Sequence, residues 1–202
     1  KKQGFSISSD VQYIVWGGNY KKAGGSYNGS LYVLANILNA EYMLTNARVK
    51  NGAYGAGVNF NPYGNMSLYT YQDPQLEQTL KIIQGVPSYI RQLDVQEDML
   101  DAYKIGALSQ FEKQLGLNEN PKIIGEILQK YYLSGISYEM IDKIRQEIIQ
   151  TTISDIKSYG SVIEKLIKEE RYSVAGSKSR LLTNRKHFDI IQSFQHMYNY
   201  MD

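Results

Sequence analysis

The first part of the chain has the hydrophobic pattern of β-strands. Residues 11–16 (VQYIVW) are β-branched or aromatic in the main and stop at a Gly-Gly pair, as a strand does. Apolar and polar residues then alternate over 54–60 and over 66–71, on either side of the turn sequence NPYG. This alternation predicts an antiparallel hairpin. Glycines at 55 and 57 weaken a strand, which indicates that another backbone or a ligand comes close there.

Residues 31–46 have the spacing of a helix instead. Leu31, Leu34 and Leu38 fall on one face at this spacing, and further apolar side chains fill much of the rest. A helix that is apolar almost all round is buried, so this helix is predicted to pack against the sheet.

The second part of the chain is predicted to be helical. Asp73-Pro74 is typical of an N-cap followed by proline at the first helical position. Pro87 predicts that this helix ends or kinks near Gly85. Further helices are predicted over 94–115, 121–131, 137–150 and 154–168, followed by a short strand at 172–175.

The order of these elements, a strand, a helix, a hairpin, several helices and a last strand, predicts the α+β class. We expect a two-layer sandwich in which helices pack on one face of a mixed, mostly antiparallel sheet. No repeat or low-complexity linker interrupts the pattern, so residues 1–176 are predicted to form a single domain. Residues 177–202 are predicted to be a basic C-terminal segment in which 187–200 could form a terminal helix.

Composition removes several classes of function. The 202 residues carry 22 Lys and Arg against 20 Asp and Glu, and a net charge of +2 argues against a dedicated nucleic-acid binder. The absence of Cys removes disulfides, thiol nucleophiles and thiolate metal sites together. No apolar run reaches about 18 residues, so no membrane partner is expected. The chain starts without Met and without a signal-peptide pattern, so it is predicted to be cut from a longer protein or processed. The lack of a signal or transmembrane segment predicts a cytoplasmic location.

Candidate metal and nucleophile sites are scarce. The two histidines, His187 and His196, are nine residues apart, which would place them on opposite faces of a helix. Neither forms a zinc-binding pair with a catalytic Glu, so no metal site is expected in this chain. The G-x-S-x-G and Gly-rich phosphate-binding motifs are absent as well. The basic stretch 178–186 has no interleaved aromatic residues and is interpreted as a solvated segment.

One segment leaves two interpretations open. Arg48 falls at the end of the predicted helix, and Tyr54 opens the hairpin six residues later. In the simpler interpretation, Arg48 is a cation that favours the helix C-terminus and Tyr54 is a half-buried tyrosine. In the other, a guanidinium and a phenol project toward a cavity and donate hydrogen bonds to a developing oxyanion.

Four segments carry a resemblance to a known family. They are VQYIV at 11–15, NGSLYV at 28–33, RVKNGAYG at 48–55 and YQDP at 71–74. With the order of elements from about Gly4 to Gly176, they resemble the C-terminal (last) domain of the presequence-protease group. These proteins are insulinase-like zinc metallopeptidases of the pitrilysin clan. The combination of R-V-K-x-G-A-Y-G, a hairpin and Y-x-D-P is quite specific, whereas isolated pieces such as GSLY are not.

The resemblance implies four related α+β domains in two halves that close around a chamber. The N-terminal half would bind zinc through an inverted His-x-x-Glu-His motif, and peptides would be hydrolysed by a zinc-bound water with a glutamate as general base. The last domain would bind no metal, and its partner would be the N-terminal half of the same polypeptide. Arg48 and Tyr54 match the family's Arg/Tyr pair and would bind the scissile carbonyl and its oxyanion. Gly52 and Gly55 would let the loop turn sharply and approach the peptide substrate.

Two other classes of function stay open from the sequence. Some members of the wider clan keep the fold as structural or assembly subunits, so a non-catalytic domain is the main alternative. A tyrosine-rich module for carbohydrate or extended peptide is another, because 18 tyrosines are present and Tyr63, Tyr69 and Tyr71 fall on the hairpin. The isolated chain is predicted to be inactive as a peptidase, and exposed apolar surface could lead it to self-associate.

Overall fold

The computed structural model describes residues 1–116, 120–133 and 135–193, and its six strands form one sheet. The strands are β1 (Lys2–Ser6), β2 (Gln12–Asn19), β3 (Gly55–Phe60), β4 (Asn65–Asp73), β5 (Tyr172–Gly176) and β6 (Ile190–Ser193). Their order across the sheet is β3-β4-β2-β5-β1-β6. The β2–β4, β2–β5 and β3–β4 pairs are antiparallel, whereas β1 is parallel to β5 and β6. The predicted hairpin and the mixed, mostly antiparallel sheet are confirmed.

Alternation along the strands separates a buried face of the sheet from an open face. On β2, Ile14 and Trp16 are buried, whereas Tyr13 and Val15 are exposed. Leu68 of β4 pairs with Trp16 and is buried on the same face. These side chains join those of the helices in one hydrophobic core. In the part of the chain that the structure describes, the helices therefore cover one face, which confirms the predicted two-layer α+β sandwich.

The helices account for most of the second half of the chain. They are α1 (Ser30–Ile37), a π-helix (Leu38–Lys50), α2 (Leu76–Gln92), α3 (Glu97–Gln114), α4 (Pro121–Leu133), α5 (Tyr138–Gln150), α6 (Ile153–Lys168), α7 (Lys178–Thr183) and a 3-10 turn (Arg185–His187). Polar caps begin several of them, as α5 and α6 illustrate. The Ser137 hydroxyl accepts from the N–H of Met140, and Thr152 with Asp155 forms a capping box. Of the described helices, none has the length and apolar character needed to cross a bilayer.

The helix predicted at 31–46 is present, but its winding changes at Leu38. Beyond this residue the chain forms a π-helix, whose hydrogen bonds span five residues instead of four. Leu38, Met43 and Ala47 are buried at intervals of five and four residues, a wider spacing than the 3.6 of an α-helix. The prediction of burial almost all round is wrong in this segment, since the wider turn leaves Leu44 exposed.

Helix α2 begins and ends later than the sequence predicts. Asp73 is the buried last residue of β4 and α2 starts three residues beyond it, so the predicted N-cap and first-position proline are wrong. Pro87 lies inside α2, so the predicted end near Gly85 is wrong too. Close packing against α6 explains the second error, because a Cβ added to Gly160 would lie 3.4 Å from the carbonyl oxygen of Pro87. Burial on this face outweighs the hydrogen bond that proline removes.

Residues after β5 return to the sheet. The segment that follows α7 packs on β1, where a Cβ added to Gly4 would lie 3.1 Å from Ile191 and 3.4 Å from Phe188. Ile191 then pairs with β1 in β6. The terminal helix predicted over 187–200 is therefore wrong at β6, because pairing with the edge of β1 satisfies this backbone. The remainder of that prediction, with His196, lies outside the described residues.

Candidate functional site

The segment predicted to carry chemistry forms a short connection between the π-helix and β3, which we call the Arg-Tyr loop (residues 48–55). Arg48 lies in the last turn of the π-helix and is exposed. Its guanidinium has no hydrogen-bond partner among the described residues. Tyr54 directly precedes β3 and is 63% exposed. The half-buried tyrosine of the simpler interpretation is therefore wrong, and both side chains are open to solvent.

Gly52 makes the turn of this loop. Its φ of +82° lies in the left-handed region, which glycine adopts without a steric penalty. The N–H of Gly52 donates to the carbonyl of Arg48 at 3.0 Å, and the N–H of Ala53 donates to the carbonyl of Ala47 at 3.1 Å. These bonds satisfy two carbonyl groups at the helix end. The sharp turn predicted at Gly52 is present.

The winding of the π-helix decides which side chains of this segment are buried. An α-helix continuing from buried Leu38 would bring Tyr42, Thr45 and Val49 to the buried side. The π-helix buries Met43 and Ala47 instead, and it leaves Glu41 and Arg48 exposed. The predicted helix has a spacing of 3.6 residues per turn throughout, so the sequence pattern could not predict this change from an α-helix to a π-helix.

Tyrosine rings of β4 lie over the glycines of β3. A Cβ added to Gly55 would lie 2.0 Å from Cε1 of Tyr71, and one added to Gly57 would lie 2.7 Å from the hydroxyl oxygen of Tyr69. The close approach predicted at these glycines is therefore made by side chains of the neighbouring strand. The ring of Tyr71 also contacts that of Tyr54, with centroids 5.6 Å apart and planes at 60°.

A buried series of hydrogen bonds lies behind the Arg-Tyr loop, and the sequence pattern did not predict it. Asn51 is 3% exposed and donates through Nδ2 to the hydroxyl of Thr79 at 2.7 Å. Thr79 donates to Oδ2 of Asp73 at 2.6 Å, and the hydroxyl of Thr70 donates to the same oxygen at 2.7 Å. The prediction of Asp73 as an N-cap overlooked its role as the acceptor of these hydrogen bonds. The sequence feature that could have indicated a buried polar cluster was Thr79, a polar residue three positions after Leu76 on the inner face of α2.

Two further residues brace the same corner. The N–H of Gln75 donates to Oδ1 of Asp73 at 2.8 Å, and its side-chain Nε2 donates to the carbonyl of Asn51 at 3.3 Å. Arg180 of α7 donates to the carbonyl of Pro74 at 3.0 Å. Part of the basic segment that was predicted to be solvated thus holds the corner behind the loop.

The described residues do not fit a zinc ion. Among residues 1–116, 120–133 and 135–193, no cluster of three or more His, Cys, Asp and Glu could hold a metal. His187 lies in the 3-10 turn, and its partial burial lowers its pKa. The polar groups of the Arg-Tyr loop that face solvent are the guanidinium of Arg48, the ammonium of Lys50 and the phenol of Tyr54, which can all donate hydrogen bonds. The arrangement is suited to an oxygen that carries negative charge.

The tyrosines considered for a binding module do not form a single surface. Tyr63 is exposed in the hairpin turn and lines a groove of about 980 Å³ that does not include the Arg-Tyr loop. Tyr69 and Tyr71 lie over glycines of β3. Tyr63 therefore has surroundings different from those of Tyr69 and Tyr71.

Comparisons with known proteins cover nearly the whole chain. Residues 2–177 match the family model described as the PreP C-terminal domain. Protein HypA of Clostridium perfringens is 34% identical over 193 residues, which are 96% of this chain and 19% of that protein. Presequence protease 1 of Arabidopsis thaliana, named as chloroplastic/mitochondrial, is 27% identical over 176 residues, which are 87% of this chain and 16% of that protein.

A solved structure with a similar fold is the inactive peptidase domain of a zinc protease from Bordetella parapertussis. The TM-score is 0.61 at 11% identity, covering 84% of this chain and 92% of that one. The chain thus has the fold of such domains, and it spans less than a fifth of the length of the two curated relatives above.

Proposed function

The chain belongs to the PreP C-terminal domain family, and on that premise we propose that it is the non-zinc-binding C-terminal domain of a larger zinc metalloendopeptidase. In this proposal it supplies Arg48 and Tyr54 to the scissile carbonyl of a peptide substrate. The observation that carries the proposal is the exposed, unoccupied pair of donors on one short, well-braced loop. The zinc ion would be held outside this chain, in keeping with the lack, among the described residues, of a cluster of three or more His, Cys, Asp and Glu that could hold a metal.

The role of the two side chains follows from their chemistry. Attack on a peptide carbonyl moves negative charge onto its oxygen, and donors that are already in place stabilise that charge. The guanidinium of Arg48 makes no hydrogen bond within the described residues and is free to donate. The Tyr54 hydroxyl, on a side chain that is 63% exposed, provides a second, neutral donor. Gly52 allows the sharp turn of the loop, and Gly55 leaves room for the ring of Tyr71. In the proposal, these two glycines let the loop approach the peptide.

The partner of this domain in the proposal is the N-terminal half of the same polypeptide. The open face of the sheet supports a closed chamber, because it carries exposed apolar side chains with no helix over them in the described part of the chain. Tyr13, Val15 and Tyr71 are 37%, 47% and 40% exposed. A surface of this kind suits extended peptides that are enclosed rather than bound in one deep pocket. The cytoplasmic location expected from the sequence stays a prediction.

The test uses Arg48→Ala and Tyr54→Phe in the complete protein that contains this chain. Each variant is expected to lower kcat by about 10²–10³-fold, because each removes one oxyanion donor. Zinc content and thermal midpoint should not change, since both side chains are exposed. Matched controls are Lys50→Ala, a neighbouring exposed cation, and Tyr132→Phe, a tyrosine that is 84% exposed on α4.

The same experiment separates the alternative, a non-catalytic structural or assembly domain. The similar fold of a domain named as inactive favours keeping this alternative. Wild-type turnover in both variants would contradict the catalytic proposal and favour the structural one.

A further inference from the structure

Apart from the exposure of the Tyr71 ring on the open face, the segment Tyr71-Gln72-Asp73-Pro74 has no role in the function proposed above, yet the structure places it directly behind the Arg-Tyr loop. Asp73 is 0% exposed. Its Oδ2 accepts from the hydroxyls of Thr70 and Thr79 at 2.7 and 2.6 Å, and its Oδ1 accepts from the N–H of Gln75 at 2.8 Å. Burying a carboxylate is costly unless donors surround it, and this one is surrounded.

The direction of the hydrogen bonds links Asp73 to the loop. The Thr79 hydroxyl gives its proton to Asp73, so its oxygen is left to accept from Nδ2 of Asn51 at 2.7 Å. Asn51 directly precedes Gly52, where the loop turns. Asp73 therefore holds the start of the turn through Thr79, without contact with Arg48 or Tyr54.

A β-bulge in this segment places the side chain of Tyr71 on the open face of the sheet and that of Asp73 on the buried face. The register between β2 and β4 shifts between Ile14 with Thr70 and Gln12 with Asp73. Gln72 has a φ of +49°, a left-handed conformation that is uncommon and strained for a residue other than glycine. Because of this bulge, Asp73 points into the core.

On the open face, Tyr71 holds the other end of the loop. Its ring covers Gly55, where an added Cβ would lie 2.0 Å from Cε1, and it packs against the ring of Tyr54. The N–H of Tyr54 also donates to the carbonyl of Gln72 at 3.3 Å. The two ends of the segment 51–55 are thus held by Tyr71, Gln72 and Asp73, the last three residues of β4.

We propose that Tyr71 and Asp73 are positioning residues for the Arg-Tyr loop: Tyr71 orients the ring of Tyr54, and Asp73 fixes the turn at Asn51 through Thr79. This inference rests on the proposed function, and it adds the residues that fix the position of the Arg-Tyr loop. A donor that moves by about 1 Å can cost up to 100-fold in rate, so such positioning has a measurable effect.

The first test is a double-mutant cycle of Tyr71→Ala and Tyr54→Phe in the complete protein. Tyr71→Ala should lower kcat about tenfold or more with little change in KM, because the Tyr54 hydroxyl is no longer held in place. Tyr71→Phe should keep the wild-type kcat, since the ring makes the contacts. In the Tyr54→Phe background, Tyr71→Ala should have little further effect. The matched control is Tyr69→Ala, which uncovers Gly57 on the same face and should leave kcat unchanged.

The second test measures the loop without reference to activity. Thr79→Val removes the shared hydroxyl, and Thr79→Ser keeps it. In the complete protein, amide hydrogen exchange at residues 52–55 should lose protection in Thr79→Val and Tyr71→Ala, and should be retained in Thr79→Ser and Tyr69→Ala.

The outcomes distinguish this inference from the function on which it rests. Unchanged protection of the loop in Thr79→Val and Tyr71→Ala would overturn the positioning role, whatever the activity. Equal loss of kcat from Tyr71→Ala in both backgrounds would overturn its action through Tyr54. Wild-type turnover in Tyr54→Phe, with the loop loosened as expected, would overturn the catalytic role while leaving the bracing of the loop established.

Discussion

At the scale of single residues, neighbours decide what each glycine and tyrosine does. Gly52 is required by its own backbone, since its φ is +82°. Gly55 is required by the ring of Tyr71, which occupies the place of its missing Cβ. Gly125 of α4 has nothing within 4 Å of an added Cβ. Gly52 and Gly55 thus have two different physical reasons and Gly125 has none of this kind, although the sequence shows the same residue type at all three positions.

Gly55→Ala and Gly125→Ala are expected to change stability in opposite directions. Gly55→Ala forces the Tyr71 ring away and should lower the free energy of unfolding by about 1–3 kcal/mol, as overpacking does. Gly125→Ala should raise it by about 0.5–1 kcal/mol, because alanine favours a helix interior. Urea unfolding of both variants checks this. A Gly55→Ala protein as stable as wild type would show that the ring can move without cost.

At the scale of elements, ion pairs between helices hold the layer that covers the sheet. Arg145 of α5 donates to both carboxylate oxygens of Glu112 of α3, from Nε at 2.6 Å and from Nη2 at 3.1 Å. Both side chains are partly shielded from solvent. The hydrogen bonds from Arg145 lower the pKa of the Glu112 carboxyl. Helix α5, which has Ile148 as its buried residue, gains a second attachment through this pair.

Glu112→Gln is expected to flatten the acid side of the stability profile. Because the folded-state pKa is lowered, the unfolded chain binds more protons between that value and about 4.5, and stability falls as pH drops through this window. The variant should lack this part of the loss, and at pH 7 it should be less stable by about 1 kcal/mol. Thermal midpoints between pH 3 and 7 measure both effects.

The control for this prediction is Glu126→Gln, which changes an exposed glutamate on α4. Its profile should run parallel to that of the wild type. Parallel profiles for Glu112→Gln as well would contradict a stabilising ion pair between α3 and α5.

At the scale of the whole molecule, the proposed function gives this fold one half of a site. In the proposal it would supply donors for a carbonyl oxygen from a braced loop, and the described residues include no cluster of three or more His, Cys, Asp and Glu that could hold a metal. The chain covers 19% and 16% of the length of two relatives, so most of each of those proteins lies outside the region that matches this chain. In the proposal, the domain and its partner would therefore be complementary in chemistry.

The purified chain of 202 residues is expected not to hydrolyse peptides, with or without added zinc. The complete protein should hydrolyse them and should lose this activity when a chelator removes the metal. A fluorogenic peptide assay on both proteins provides the measurement. Chelator-sensitive hydrolysis by the purified chain would contradict the assignment of zinc to another part of the protein.

The sequence by itself determined most elements and the place of the candidate site. Alternation over 54–60 and 66–71 identified the hairpin, and the helices at 137–150 and 154–168 were predicted within a residue. These features depend on local preferences and on burial, which a pattern of residue types records directly. The Arg-Tyr loop was found through a resemblance, since Arg48 and Tyr54 alone left two interpretations open.

Only the tertiary structure decided how that loop is held. Strands β1 and β6 are short and pair with segments far along the chain, so no local pattern marks them. Asp73 has the local signature of a helix cap, but the hydroxyls of Thr70 and Thr79 make it the buried anchor of a turn. The π-helix buries Met43 and Ala47 in the core, whereas an α-helix continuing from Leu38 would bury other residues of the segment. In each case the deciding partner lies on another element, and only packing brings the two together.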